Sequence, residues 1–218
     1  THSNNMRTLY NILRTALNSL RNPNAPAEEE TDEMPKTDRF KEMNPFERIV
    51  DRFNKAVVDP QDYELTMAGY QSYLDATGIV FVSAKEMCTP HHLDTASELG
   101  YEAFVPEHEW WDRGAALASL FDYLREDLGK PIVVRNWWRP EDYNEKVGGA
   151  KASDHIGAYA FDMDFKTQDD RRHVEALLEA LYDDLELEMS LGLGGYSIHL
   201  GLLSERGNRR WYYDSYVK

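Results

Sequence analysis

The chain has 218 residues, enough for one large domain or for a domain with an extension, and 42% of them are hydrophobic. Its 39 acidic residues outnumber the 24 basic ones, and the net charge of −15 disfavours nucleic acid as a partner, because phosphate binding needs a basic face. No apolar run reaches the roughly 18 residues of a membrane span, and the single cysteine, Cys88, excludes an intrachain disulfide and a cysteine-rich metal site.

The first third of the chain is predicted to be helical, with an acidic linker inside it. Residues 4–21 carry apolar side chains at helical spacing, whereas residues 22–44 contain three prolines and an acidic run. We therefore divide the chain into residues 1–44 (amphipathic helix and linker), residues 45–77 (helical extension) and residues 78–218 (main domain).

The helix of residues 4–21 has two interpretations. It either packs on its own domain or docks the chain onto another protein, so residues 1–44 are candidates for binding protein partners. No basic stretch followed by an apolar core is visible near Thr1, so no signal peptide is predicted. The single cysteine is typical of a reducing compartment, which favours a cytoplasmic location.

The rest of the chain alternates helical and strand patterns. A helix is predicted over residues 61–75 with Leu65, Met67, Ala68 and Tyr70 facing inward. The remaining predicted elements, in order, are a short strand IVFVSA (79–84), an irregular segment with exposed His91 and His92 (84–105), a long helix (106–128), a strand IVVR (132–135), a short helix (141–147), a strand (158–165), a helix (168–184) and a closing β-meander. This order predicts an α+β fold with a small, mostly antiparallel sheet and helices packed on one side.

Three residues in this second half have the ligand types of a zinc site with one open position. Asp162 lies inside an apolar strand, where a carboxylate is costly unless it is paired or bound to metal. His155 precedes that strand, and His199 alternates with apolar neighbours in SIHL. If the two strands pair, these residues converge on one sheet face as a site for Zn²⁺. The alternative is that Asp162 is an ion-pair or capping residue and the histidines are structural.

The same stretch resembles a known family. Residues 132–166 are similar to the zinc D-alanyl-D-alanine carboxypeptidases, peptidase family M15, whose fold is shared with the hedgehog signalling domain. The matching features are Trp138-Arg139-Pro140, Tyr143-Asn144, Val147-Gly148-Gly149-Ala150, Ser153, His155, Ala160, Asp162 and, further on, His199 in GLGGYSIHL. The resemblance covers about residues 78–214 and implies a hedgehog/DD-peptidase-like fold.

The resemblance also implies the roles of the site residues. Zinc would be held by His155, Asp162 and His199, and Arg139 and Ser153 would bind the carboxylate or carbonyl of a peptidoglycan stem peptide. Arg139 suits catalysis and substrate binding because its planar fork can hold a carboxylate through two hydrogen bonds. The alternative for Arg139 is a surface ion pair.

The chain departs from the family pattern near both histidines, and the departure near the second affects the expected activity. The glycine usual three residues after the first histidine is Ala158 here. The general base is also missing: one branch has an acid three residues before the last histidine, where this chain has Tyr196, and another has Asp two residues after it, where this chain has Gly201. Other acids, namely Glu188, Glu205 and Asp214, could supply a base through the fold.

Two main functions therefore remain open. The first is a zinc peptidase acting on peptidoglycan as a D,D-carboxypeptidase or endopeptidase, in a phage setting. The second is an M15-like structural or binding protein with impaired catalysis, docked into a virion or another assembly through its N-terminal helix. A hedgehog-like protein-binding module is a third possibility. The expected location is cytoplasmic or virion-associated.

Overall fold

The computed structural model describes residues 58–185, 189–202 and 208–216. The helix predicted over residues 4–21, the acidic linker and residues 45–57 of the predicted helical extension lie outside the described residues, as do Glu188 and Glu205. The division of the chain at residues 44 and 77 stays a prediction.

The described residues form six α-helices and five strands. The elements are α1 (Met67–Ala76), α2 (Ala84–Cys88), α3 (Leu93–Glu98), α4 (Trp111–Leu128), β1 (Val133–Asn136), α5 (Glu141–Lys146), β2 (Ala160–Asp164), α6 (Gln168–Leu185), β3 (Met189–Leu193), β4 (Ser197–Leu202) and β5 (Arg210–Tyr212). The predicted α+β class is confirmed. No helix among these described elements combines the length and apolar character needed to cross a membrane.

The strands form one sheet in the order β1-β2-β4-β3-β5. Three of the four pairs are antiparallel, as predicted, and β3 with β5 is parallel. In the predicted closing β-meander, β5 would pair with β4. This part of the prediction is wrong, because β5 pairs with β3. Both edges of β4 are already occupied by β2 and β3, so β5 crosses over and pairs with the remaining edge of β3.

The two faces of the sheet differ in chemistry because side chains alternate along a strand. On the core face, Phe161 meets Phe121 of α4 with ring centroids 5.5 Å apart, and Val174 and Leu178 of α6 join the same buried cluster. On the opposite face, Asp162 of β2 lies directly across from its antiparallel partner His199 in β4. The sheet thereby places two candidate ligands side by side.

The segment IVFVSA does not form the predicted strand. The backbone N–H groups of Val80 and Phe81 donate to the carboxylate of Asp122 in α4, at 2.6 and 2.9 Å. The same segment accepts a hydrogen bond from Arg125 at the carbonyl of Phe81. A side-chain acceptor more than forty residues away thus replaces the strand partner that a β-ladder requires.

We predicted that residues 84–105 are irregular, but they contain the helices α2 and α3. A capping box starts α2: the Ser83 side chain accepts from the backbone of Glu86, and the Glu86 carboxylate accepts from the backbone of Ser83. The sequence S-x-x-E at residues 83–86 carries this signal. The exposure predicted for His91 and His92 is confirmed.

The inward face predicted for α1 is correct only in part. Tyr70 is fully buried and stacks on Trp137 with centroids 5.3 Å apart, and Met67 is partly buried. Leu65 and Ala68 are exposed, because α1 begins only at Met67 and turns Tyr70, Tyr73 and Leu74 toward the core.

Candidate metal centre

The three predicted ligands come from two strands and one turn. Asp162 and His199 are held by the β2–β4 ladder, and His155 lies in the turn that leads into β2. In this turn the N–H of Ala158 donates to the carbonyl of His155 at 3.2 Å. Ala158 has a φ of +57°, the left-handed conformation that glycine adopts most easily. This backbone explains why the family pattern has glycine at that position.

The side chains converge on one point. His155 Nε2 is 3.2 Å from Asp162 Oδ1, His199 Nδ1 is 2.9 Å from the same oxygen, and the two nitrogens are 3.2 Å apart. All three side chains are buried. Ligand atoms about 2.0–2.2 Å from a tetrahedral zinc lie roughly 3.3–3.5 Å from one another. The site therefore has the donor set and nearly the spacing of three zinc ligands.

The far sides of His155 and Asp162 are also occupied, as they are in known metal sites. His155 donates from Nδ1 to the carbonyl of Trp137 at 2.6 Å, which leaves Nε2 facing the centre. The other carboxylate oxygen of Asp162, Oδ2, accepts from Arg139 Nη2 at 2.6 Å and from Asn136 Nδ2 at 3.1 Å. These partners fix the orientation of both groups toward the centre.

The buried carboxylate and the two imidazoles of the centre shift one another's pKa values. Burial lowers the pKa of His155, although the neighbouring Asp162 opposes this shift. Burial acts to raise the pKa of Asp162, but His155 and His199 outweigh it and hold that pKa well below its usual range. Burial acts to lower the pKa of His199, but Asp154 and Asp162 outweigh it and raise that pKa. At neutral pH Asp162 is ionised and His155 neutral, which are the forms that bind metal.

Arg139 is part of this centre and not a surface residue. Its side chain is 13% exposed, and its guanidinium pairs with Asp162 and reaches Asn144 Oδ1 at 3.4 Å. The alternative that we considered for Arg139 was a surface ion pair. Arg139 does form an ion pair, but the pair is buried and not at the surface. The hydroxyl of Ser153 accepts from the backbone N–H of His155 at 3.3 Å, so it supports the ligand turn. Substrate binding by Arg139 and Ser153 stays a prediction.

The two positions at which the resemblance leads us to expect a general base, 196 and 201, hold no acid. Tyr196 is 55% exposed, and Gly201 lies inside β4 opposite Ala160. Sequence reasoning missed the buried carboxylate of Asp154, which lies 3.9 Å from His199 Nε2. The available signal was an acidic residue directly before the first candidate ligand, in the sequence Ser153-Asp154-His155.

Comparison with known proteins gives one finding. A family model described as Peptidase M15 matches residues 89–199, just over half of the chain, and this segment contains all three candidate ligands. No curated protein and no solved structure matches the chain. The match, with the His155–Asp162–His199 cluster inside it, supports a peptidase, and the chain belongs to the peptidase M15 family.

Proposed function

We propose that the chain is a zinc-dependent peptidase that acts on peptidoglycan stem peptides, as a D,D-carboxypeptidase or an endopeptidase. The observation that carries this proposal is the convergence of His155 Nε2, Asp162 Oδ1 and His199 Nδ1 within a buried cluster. Two imidazoles and one carboxylate are a ligand set of catalytic zinc sites, in which water or substrate takes the fourth position.

Zinc bound there would polarise the scissile carbonyl and lower the pKa of its water toward neutrality. Arg139 would bind the carboxylate of the stem peptide. Its two terminal nitrogens contact Asp162 and Asn144. Its side chain keeps 13% exposure beside the candidate ligands, so its positive charge would attract the carboxylate of the substrate.

The second candidate is an M15-like structural or binding protein with impaired turnover. It is favoured by Tyr196 and Gly201, which stand where the family branches carry their acid. General acid–base assistance typically contributes about 100- to 10,000-fold to rate. Such a protein would be docked into a virion or another assembly through residues 1–44, and a phage setting suits both candidates.

Peptide release from purified peptidoglycan separates the two candidates. The zinc-loaded full chain should release D-alanine or cleave stem peptides, and His199→Ala should abolish release. His173→Ala is the matched control, because His173 is an exposed histidine of α6 that pairs with Asp127. Stoichiometric zinc without any cleavage would favour the binding protein, and deletion of residues 1–44 would then be expected to abolish assembly.

A further inference from the structure

A fourth buried side chain, Asp154, touches the metal centre from behind His199. Its carboxylate oxygen Oδ2 accepts from Arg209 Nη2 at 2.8 Å and from the Ser190 hydroxyl at 3.4 Å. The same oxygen lies 3.9 Å from His199 Nε2, an ion-pair distance. Asp154 is 6% exposed, so this contact with the imidazole is weakly screened by water.

The space around this carboxylate exists because residue 201 is glycine. A Cβ built at Gly201 would lie 2.3 Å from Ser190 Oγ and 3.1 Å from Asp154 Oδ2. It would also lie 3.7 Å from His199 Nε2. The Asp154 carboxylate therefore borders the volume that a side chain at position 201 would fill.

We propose that Asp154 is a positioning residue of the metal centre that orients the imidazole of His199. Its carboxylate reaches the site from the turn before β2 and holds the His199 ring so that Nδ1 faces Asp162. The inference rests on the proposed zinc site, which the experiment below tests separately.

Asp154 faces the ring nitrogen of His199 that does not point to the centre. A neutral imidazole that binds a metal through Nδ1 carries its remaining proton on Nε2, the nitrogen on the side of Asp154. A carboxylate there stabilises that N–H and keeps Nδ1 directed toward Asp162 Oδ1, which lies 2.9 Å from it. Arg209 fixes the carboxylate through its ion pair, and the ring of Trp211, tilted on His199 with centroids 5.1 Å apart, limits rotation of the imidazole.

The first experiment removes the negative charge of the Asp154 side chain and keeps the shape of the side chain. In Asp154→Asn, zinc affinity measured by chelator competition on the full chain should fall about 10- to 100-fold, the usual effect of losing such a partner. In the zinc-loaded protein, the Nε2–H proton resonance of His199 should move upfield, because this N–H loses its charged neighbour. Asp142→Asn, at an exposed acid that pairs with Tyr101, is the control and should change neither readout.

A relocation variant tests whether a carboxylate beside His199 Nε2 accounts for the effect. Asp154→Ala combined with Ser190→Ala empties the space, and adding Gly201→Asp restores a carboxylate from β4. We expect the triple variant to regain at least about tenfold in zinc affinity over the double variant, within the range for such partners. This gain would not arise if Asp154 only stabilised the fold.

The outcomes separate the two proposals. Wild-type affinity together with an unchanged Nε2–H resonance in Asp154→Asn would overturn the role of Asp154 and leave the zinc proposal standing. A wild-type chain that binds no zinc would overturn both. If Asp154→Asn does not fold, the comparison of the triple variant with the double variant decides.

Discussion

The main-chain carbonyl of Trp137 accepts a hydrogen bond of 2.6 Å from Nδ1 of His155, and the indole of the same residue stacks on Tyr70. Tyr70 lies in α1, before the segment that matches the family model. The orientation of a candidate ligand is thus coupled to aromatic packing outside that segment.

Gly114→Ala tests this coupling between core and site. A Cβ at Gly114 would lie 2.1 Å from the Tyr70 hydroxyl and 2.4 Å from the Trp137 ring. Alanine would gain about 1 kcal/mol in helix propensity, but overpacking costs typically about 1–3 kcal/mol, so we expect net destabilisation in urea unfolding and weaker zinc binding. Glu126→Ala, at an exposed position of α4, is the control. A stabilised Gly114→Ala variant with normal zinc affinity would contradict the coupling.

Asp122→Ala should destabilise the chain by about 2 kcal/mol or more. The change removes the acceptor of the Val80 and Phe81 N–H groups, and each unsatisfied group costs about 1–3 kcal/mol. Chemical denaturation measures the loss. The control is Asp169→Ala, at a 90% exposed side chain paired with Arg172, which should change stability by less than about 0.5 kcal/mol. Equal effects of the two variants would refute the role of Asp122.

The ionisation of Glu86 should make the free energy of unfolding depend on pH in the acidic range. Burial acts to raise its pKa, but the guanidinium of Arg125 and the hydrogen bonds from Ser83 outweigh burial and lower the pKa from 4.5. A carboxyl whose pKa is lower in the folded state stabilises the fold above its unfolded pKa, and the contribution is lost as pH falls through the folded pKa. The difference in unfolding free energy between wild type and Glu86→Gln should therefore shrink from pH 7 to pH 3. A constant difference would contradict this assignment.

Cys88 should be unreactive in the native protein. Burial raises the pKa of its thiol to about 12, and the side chain is fully buried. Because only the thiolate reacts, an aromatic disulfide reagent at pH 8 should modify Cys88 at a rate limited by unfolding. Labelling should accelerate with urea in parallel with loss of structure. Rapid labelling without urea would show that the segment around α2 opens locally.

The sequence patterns predicted that the three side chains converge, because alternation along each strand decides which face of the sheet a residue occupies. Alternation in β2 and β4 places Asp162 and His199 on the polar face, and antiparallel pairing makes them direct neighbours. The short turn before β2 then limits where His155 can lie.

The features that were missed depend on contacts between distant parts of the chain. The Asp122 carboxylate, in α4, accepts hydrogen bonds from the backbone N–H groups of Val80 and Phe81. The apolar segment around these two residues therefore forms no strand, although its pattern is typical of one. The turn that carries Asp154 lies 47 residues before Gly201 in the sequence. No pattern around His199 therefore indicates that the Asp154 carboxylate lies beside Gly201. Strand order likewise depends on which sheet edge is already occupied when β5 is added.

The most direct test of the account is the zinc content of the full chain after equilibration with zinc and removal of loosely bound ions. We expect one zinc per chain in the wild type and in the His173→Ala control, and none in a His155→Ala and Asp162→Ala double variant that retains its fold. A wild-type chain that binds no zinc, or a folded double variant that binds as much as wild type, would contradict the proposed centre.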